Sequence, residues 1–218
     1  MHKQGSKNNN TKANRVINEL LDGNRRFIEN KLLAKKPSVA EIKKLTVAQK
    51  PVAAIIACSD SRVSPEIICD QSLGRLFINR NAGNVINDDV LASLEVAVHA
   101  LAVPLIIVMG HTGCSAVMSS IDFKGADGKI LRYLHRLRKK ILQTNIFFCN
   151  SLGCLKSKTV SFSKYTKNLD DAVLYNIRYS VGEVLKTKYM SSLVKSGKLK
   201  IVGAVYDIKT NKLQFLNE

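Results

Sequence analysis

The stretches VAAIIACSDSRVSPE at residues 52–66 and LIIVMGHTGCSAV at residues 105–117 decide the fold of this chain. Each opens with a wholly apolar run, which is typical of a strand buried on both faces of a parallel sheet. Each run leads through a polar loop into a helix-forming segment. A similar unit lies between them, where a strand pattern over residues 75–79 precedes a helix that starts at Asn87 or Asp88. This repeated order predicts an α/β fold with a central, mostly parallel sheet flanked by helices.

The segments before this centre predict an N-terminal helical arm. Residues 1–12 are rich in Asn and Lys and are predicted to be a disordered lead-in. Residues 13–218 are predicted to form a single domain, with the arm over about 13–50. Apolar residues at helical spacing predict a first helix with a kink at Gly23. A capping box between Ser38 and Glu41 predicts a second helix that ends near residue 49.

The C-terminal half has a weaker pattern. It predicts a helix around 130–141, a variable loop over 143–168 and a helix from about 169 towards 193. A strand over 200–206, a turn over 209–212 and a closing strand over 213–216 complete the prediction. No internal repeat or composition shift divides the chain.

The charge balance is strongly basic, with 34 Lys and Arg against 17 Asp and Glu and a net charge of +17. Between Lys124 and Lys200 there are 17 basic and four acidic residues, so most of the excess lies in the C-terminal half. A basic excess raises the possibility of nucleic-acid or anion binding. The basic run of residues 132–140 has no recognisable nucleic-acid motif, so Arg132, Arg136, Arg138, Lys139 and Lys140 are interpreted as a solvated helix face.

The cysteine count and the N-terminal sequence favour a cytoplasmic protein with reduced thiols. Five cysteines at irregular spacing make a poor disulfide framework. No hydrophobic signal segment follows Met1, and no apolar run approaches the length of a membrane span.

Five residues that carry chemistry follow two of the predicted strands. Cys58, Asp60 and Arg62 come after the first apolar run, and His111 and Cys114 come after the later one. Because ligands bind outside the carboxyl ends of parallel strands, these side chains are expected to converge there. Two thiolates and an imidazole form a sufficient ligand set for zinc, with a fourth position left for water or substrate.

The alternation of Cys58, Asp60 and Arg62 points the three side chains the same way if this strip is extended. Asp60 could then accept the proton of a water on the metal, and Arg62 could hold its carboxylate in a bidentate clamp. Each residue alone is more simply a core or ion-pair residue, whereas their joint occurrence favours the site.

The remaining cysteines are interpreted as structural. Cys69 falls on an apolar helical face. Cys149 and Cys154 lie in the predicted variable loop without an adjacent His, and a second metal site or a redox pair there is the less favoured alternative.

Three motifs resemble the β class of carbonic anhydrases: ACSDSRVSPE at 57–66, LFINRNAGN at 76–84 and GHTGCSAV at 110–117. The resemblance extends to LLDGNRRFIENK at 20–31, AVLYNIRYSV at 172–181 and GKLKIVGAVYDIKTNKLQFL at 197–216. It covers nearly the whole chain except residues 1–12 and 143–168.

The resemblance implies one zinc ion per chain, bound by Cys58, His111 and Cys114. It implies that Asp60 and Arg62 form a catalytic dyad, and that Asp60 can become a fourth ligand in a closed state. The residue after Cys114 is a serine here, where the family usually has a glycine.

The resemblance also implies a substrate pocket and a dimer. Gln49 and Phe77 match substrate-pocket residues of plant-type members, whereas Ala82 and Val96 are smaller than the family's usual pocket residues. The basic unit of the family is a dimer, in which the arm over 14–34 is expected to pack on the partner. Gln49 and Phe77 are expected to face the other chain's zinc.

The leading functional prediction is therefore zinc-dependent, reversible hydration of CO2 to bicarbonate and a proton. Hydrolysis of CS2 or COS on the same zinc site is the enzymatic alternative. A non-catalytic zinc protein that binds anions or nucleic acid through its basic half is the alternative from another class. Asp60 and Arg62 argue against it, because a purely structural zinc site needs neither.

Overall fold

The sheet that carries the candidate site residues has five strands. The computed structural model describes residues 5–34, 37–121, 128–142, 148–150, 153–155 and 169–216. In chain order the strands of this part are β1 (Ala53–Cys58), β2 (Leu76–Asn81), β3 (Leu105–His111), β4 (Phe148–Asn150), β5 (Gly153–Leu155), β6 (Lys200–Asp207) and β7 (Lys212–Phe215). The helices are α1 (Gly5–Ile28), α2 (Val39–Leu45), α3 (Pro65–Ile68), α4 (Asp88–His99), α5 (Ser115–Ile121), α6 (Gly128–Leu142), α7 (Leu169–Lys186) and α8 (Lys188–Lys195).

The strand order β2-β1-β3-β6-β7 confirms the predicted α/β sheet. The first four strands run parallel to their neighbours, and β7 returns antiparallel to β6. Every residue of β1 and β3 is buried, which is why both strands are continuous apolar runs in the sequence.

The two faces of the sheet carry separate cores. Ala54 and Ile56 of β1 pack on the face covered by α4, α5 and α7, whereas Ala53 and Ile55 pack on the face covered by α1 and α3. Helices on both faces shield the sheet from water, as expected for parallel strands. None of the described helices is both long enough and apolar enough to cross a membrane.

Helix α1 is longer than the sequence indicates. It begins at Gly5, so it extends into the segment for which the polar composition predicts disorder. It continues through Gly23, where a Cβ would lie 1.9 Å from the Cys69 carbonyl oxygen. Gly23 is therefore needed for the close approach of α1 to the end of α3.

The apolar stripe of α1 is largely covered within its own chain. Ala13, Val16 and Leu20 are buried against the sheet, so this stripe does not by itself require a partner subunit. The buried Asn24 side chain donates to the Ile68 and Asn211 carbonyls and accepts the Leu213 N–H. Every polar group of that amide is thus paired, and α1 is fixed to both α3 and the β6–β7 hairpin.

The capping box predicted at Ser38 and Glu41 is present at the start of α2. Two other details differ from the sequence prediction. The late helix is broken at Thr187, whose side chain caps α8, because its hydroxyl accepts the Met190 N–H. The predicted variable loop contains the short antiparallel pair β4–β5, with Cys149 opposite Cys154 in register.

The chain that follows α1 is fixed by the buried carboxylate of Asp70. Its oxygens accept hydrogen bonds from Arg26 Nε at 2.5 Å, from the Leu33 N–H at 3.0 Å and from the Ala34 N–H at 2.8 Å. Burial raises the pKa of Asp70, but the Ala34 N–H and Arg26 outweigh it, so the pKa lies below its ordinary value. The charged carboxylate is therefore the form that stabilises this connection.

We expect Asp70→Asn to lower the free energy of unfolding by about 2 kcal/mol at neutral pH, because a buried charge-assisted network loses its acceptor. A depressed folded-state pKa means that this stabilisation is complete above the unfolded pKa of about 4 and is lost as the pH falls further. The difference between the wild type and the variant in urea unfolding should therefore shrink below about pH 4.

Asp22→Asn is the matched control, because Asp22 pairs with Arg25 on the exposed face of α1. We expect it to change the free energy of unfolding by less than about 0.5 kcal/mol. An equal loss in both variants would show that the Asp70 network does not anchor the arm.

Candidate metal centre

Three side chains with metal-binding atoms meet at the carboxyl ends of β1 and β3. Cys58 is the last residue of β1, His111 is the last residue of β3, and Cys114 immediately precedes α5. All three are buried, and their ligand atoms lie within 4.8 Å of one another. The two sulfurs are 3.8 Å apart and form no disulfide. The structure thus brings together the residues that the sequence predicts as ligands.

The hydrogen bonds of His111 leave one ring nitrogen for a ligand. Nδ1 lies 3.0 Å from the Thr112 carbonyl oxygen, which can only accept, so Nδ1 carries the proton. In the neutral ring, Nε2 then carries a lone pair. This nitrogen is buried without a hydrogen-bond partner in the described part of the chain. A carbonyl on Nδ1 and a lone pair on Nε2 are the usual arrangement of a histidine that binds a metal.

The two thiols favour a negative charge at this position. The Cys114 thiol lowers the pKa of Cys58 below its ordinary value against the opposing effect of burial, with smaller contributions from His111 and the Gly83 N–H. The pKa of Cys114 is raised in return, because its thiol faces the Cys58 sulfur and is itself buried. Of the two thiols, Cys58 is therefore the one that loses its proton more readily.

A tight turn after β2 contacts the Cys58 sulfur. The Gly83 N–H donates to Cys58 Sγ at 3.3 Å. Gly83 has φ +74°, which a residue with a side chain rarely adopts. The Asn81 side chain closes the turn, since it accepts the Val85 N–H and donates to the Val85 carbonyl. The turn thus supplies a backbone donor to one of the candidate ligands.

Asp60 and Arg62 form the predicted pair at the rim of this cluster. Arg62 Nε donates to Asp60 Oδ1 at 2.9 Å, and Arg62 Nη2 donates to Oδ2 at 2.8 Å. This guanidinium holds the pKa of the Asp60 carboxyl well below its usual range. Asp60 Oδ2 lies 4.0 Å from His111 Nε2, so the carboxylate stands beside the candidate metal position.

The strip from Cys58 to Arg62 is not extended. The alternation of side chains expected along an extended strip is therefore not what brings Asp60 and Arg62 together. Asp60 Oδ1 also accepts the Arg62 N–H at 3.0 Å, and the Val63 N–H bonds the Asp60 carbonyl. Aspartate commonly forms such a turn by binding the backbone two residues on. The turn itself brings the guanidinium onto the carboxylate.

Arg80 on β2 holds the backbone of the same strip. Its Nε donates to the Cys58 carbonyl at 3.0 Å and its Nη2 to the Asp60 carbonyl at 2.7 Å. Arg80 lies within the motif LFINRNAGN, which predicts no role for it. Its effect is on the backbone, which residue chemistry and spacing do not reveal.

Two residues from distant helices reach the turn after β2. The Tyr133 hydroxyl on α6 donates to the Ala82 carbonyl, and Asn176 Nδ2 on α7 donates to the Gly83 carbonyl at 2.8 Å. Burial, and then the charges of Cys58 and Cys114, raise the pKa of Tyr133 to about 12, so its hydroxyl keeps its proton. Neither residue is predicted at the site, because both lie far along the chain from residues 82–83 and belong to no ligand motif.

The substrate-pocket residues implied by the resemblance do not join the cluster through any contact described within one chain. Gln49 is exposed after α2, and Phe77 on β2 is half-buried against the core. Ala82 and Val96 are both exposed. The roles of Gln49 and Phe77 stay predictions that involve a partner chain.

The other cysteines lie apart from this cluster or outside the described side chains. Cys69 is fully buried, and burial raises its pKa to about 12, as expected of a structural thiol. The backbones of Cys149 and Cys154 lie in β4 and β5, but their side chains are outside the described part. On α6, Leu134 and Leu137 are buried, whereas Arg132, Arg136 and Lys139 are exposed, as the interpretation of a solvated face predicts. Arg138 is half-buried, and the side chain of Lys140 lies outside the described part.

The sequence is similar to known carbonic anhydrases. The family model described as Carbonic anhydrase matches residues 53–213. A carbonic anhydrase of Mycolicibacterium smegmatis is 46% identical over 103 residues, which are 47% of this chain and 50% of that protein. The chain thus matches about half the length of this relative. A carbonic anhydrase of Pseudomonas aeruginosa is 28% identical over 92% of this chain and 88% of its own.

Solved structures show the same fold. The β-carbonic anhydrase CcaA superposes with a TM-score of 0.65 at 25% identity, covering 92% of this chain and 95% of its own. A β-carbonic anhydrase from Sordaria macrospora has a TM-score of 0.65 at 20% identity, covering 81% and 86%. With a family model that spans β1 to β7 and a sheet shared with these structures, the chain belongs to the β class of the carbonic anhydrase family.

Proposed function

We propose that this protein catalyses the reversible hydration of CO2 to bicarbonate and a proton, with one Zn²⁺ per chain. The observation that carries the proposal is the position of His111 Nε2. This nitrogen is buried beside two cysteine sulfurs and has no hydrogen-bond partner in the described part of the chain. Membership of the carbonic anhydrase family supports this reaction.

The donor set fits Zn²⁺ better than a hard cation. Cys58, Cys114 and His111 offer two soft sulfurs and one imidazole nitrogen, whereas magnesium and calcium prefer oxygen. Three protein ligands leave one coordination position for water. Zn²⁺ bound there would make water a nucleophile at neutral pH, an effect for which carbonic anhydrases are themselves the standard example.

Asp60 is placed to orient the attacking water. An ionised carboxylate can only accept hydrogen bonds, and Arg62 keeps Asp60 ionised. With its oxygen 4.0 Å from His111 Nε2, the carboxylate can accept a hydrogen bond from the water that attacks CO2. Its low pKa makes Asp60 an orienting acceptor, and buffer or a surface group takes up the released proton.

Arg62 gives this acceptor its position. Both Asp60 oxygens are occupied by the guanidinium in this structure, so we propose that Asp60 is not a metal ligand in this arrangement. The Arg62 side chain is half-exposed, whereas the Asp60 side chain is largely covered. The arginine therefore faces solvent and the carboxylate faces the site.

The substrate pocket is proposed to include a second chain. We infer that Gln49 and Phe77 contact substrate at the centre of a partner subunit, with a homodimer as the smallest active unit. The Sordaria macrospora relatives are described as tetrameric, which supports assembly of this fold. Gln49 is exposed and therefore accessible to a partner.

Purified protein should contain about one zinc ion per chain, and Cys58→Ala, His111→Ala and Cys114→Ala should each lose both zinc and CO2 hydration. Three ligands leave no redundancy, so removing any one opens the site. Elemental analysis and stopped-flow CO2 hydration measure the two quantities.

The control substitutions are Cys69→Ala, Cys149→Ser and Cys154→Ser, which should keep zinc and turnover. Stoichiometric iron in place of zinc, or loss of zinc from a control, would contradict the assigned ligands. Hydrolysis of CS2 or COS without CO2 hydration would contradict the proposed reaction and leave the metal site intact.

Asp60→Asn should retain zinc but lose turnover by on the order of 10²-fold or more, because the amide can present a donor where an acceptor is required. The variant is nearly isosteric, so its melting temperature should change little. Full turnover in zinc-loaded Asp60→Asn would defeat the proposed role of this carboxylate.

Arg62→Ala should lose turnover in the same direction, because an unclamped Asp60 can move towards the metal. The loss in the double variant should be much less than the product of the two single losses, since the pair acts as one unit. Multiplicative losses measured by stopped-flow would show that the two residues act independently.

A further inference from the structure

One peptide unit is held between the Cys58 sulfur and the Tyr133 hydroxyl. The carbonyl of Ala82 and the N–H of Gly83 belong to the same trans peptide and point in opposite directions. The N–H donates to Cys58 Sγ at 3.3 Å, and the carbonyl accepts the Tyr133 hydroxyl. Tyr133 and Cys58 are thus the two ends of one continuous chain of hydrogen bonds.

The surroundings leave this peptide little freedom to rotate. The next carbonyl, that of Gly83, accepts Asn176 Nδ2 at 2.8 Å from the buried face of α7. A Cβ on Gly83 would lie 3.1 Å from Leu137 and 3.4 Å from Ala116, so α6 and α5 also press on the turn. The direction of the Gly83 N–H is therefore set from outside the turn.

We propose that Tyr133 is a positioning residue for the Cys58 thiolate, acting through the Ala82–Gly83 peptide unit. This inference rests on the proposed function, in which Cys58 is a zinc ligand. Tyr133 does not touch the metal position; it orients and polarises the one N–H that the turn donates to the sulfur.

Two physical effects make this contact consequential. A hydroxyl that donates to a carbonyl strengthens the N–H at the other end of the same peptide, because hydrogen bonds in a chain polarise one another. An N–H that donates to a thiolate withdraws charge from the sulfur and fixes its orientation towards the metal. Groups that orient a ligand in this way typically change metal affinity by tenfold or more when removed.

The test is Tyr133→Phe, which removes the hydroxyl and keeps the ring. The matched control is Tyr189→Phe, because that hydroxyl also has one partner, His99, which ends α4 on the opposite side of the sheet from the carboxyl ends. Zinc release is measured as transfer to a chromophoric chelator in excess. The thiolate-to-metal charge-transfer band is measured after Co²⁺ replaces zinc.

We expect Tyr133→Phe to release zinc about tenfold faster than the wild type. Its charge-transfer band should move to lower energy, because a sulfur with a weaker hydrogen bond gives up charge more easily. Tyr189→Phe should leave both quantities unchanged. The far-ultraviolet circular dichroism of all three proteins should coincide.

Unchanged zinc release and an unchanged band in Tyr133→Phe would overturn the inference while leaving the proposed function in place. A lowered melting temperature with an unmoved band would also overturn it, because it would show a purely structural role. A wild type that binds no zinc or hydrates no CO2 would instead defeat the proposed function.

Discussion

Parallel pairing between β1 and β3 is the constraint on which the rest of the structure depends. It sets Ala57 beside Met109, so that the next residues of both strands emerge at the same edge. Cys58 and His111 meet there although they are far apart in the chain, and Cys114 follows at the start of α5. A change of register by one residue would turn the side chains of the shifted strand, and with them Cys58 or His111, to the opposite face of the sheet. The apolar side chains that fix the register therefore also fix the candidate metal ligands.

The buried polar groups of this arrangement lower the stability of the fold. The buried His111 Nε2 has no partner in the described part of the chain, and an unsatisfied buried group costs about 1–3 kcal/mol. The two neighbouring sulfurs lie 3.8 Å apart in the same buried space. A ligand that binds only the folded state repays such costs, so zinc is expected to stabilise the fold as well as supply the chemistry.

The sequence predicts the centre of this molecule better than its supporting contacts. Uninterrupted apolar runs identify β1 and β3, and residue chemistry after each run identifies Cys58, His111 and Cys114. The pairing of Asp60 with Arg62 was also predicted, although a turn rather than an extended strip produces it. Contacts with the backbone were not predicted, because the sequence does not show which carbonyl the Arg80 or Tyr133 side chain will contact. The β4–β5 pair was missed because its strands are three residues long.

The charged groups of the site lie at its rim, whereas its neutral hydrogen-bond donors lie in the interior. The free energy of removing a charge from water explains this difference. The Asp60–Arg62 pair lies at the rim, where water can stabilise the guanidinium and where a carboxylate stays ionised at little cost. The sulfurs lie in the interior, where a charged partner would itself need a group to replace the water that it loses on burial. Neutral donors serve there instead: the Gly83 N–H for Cys58, held in turn by Tyr133 and Asn176. Neutral dipoles stabilise the Cys58 sulfur without placing a second positive charge beside it, so under the proposed function the metal ion would be the positive charge next to the sulfurs.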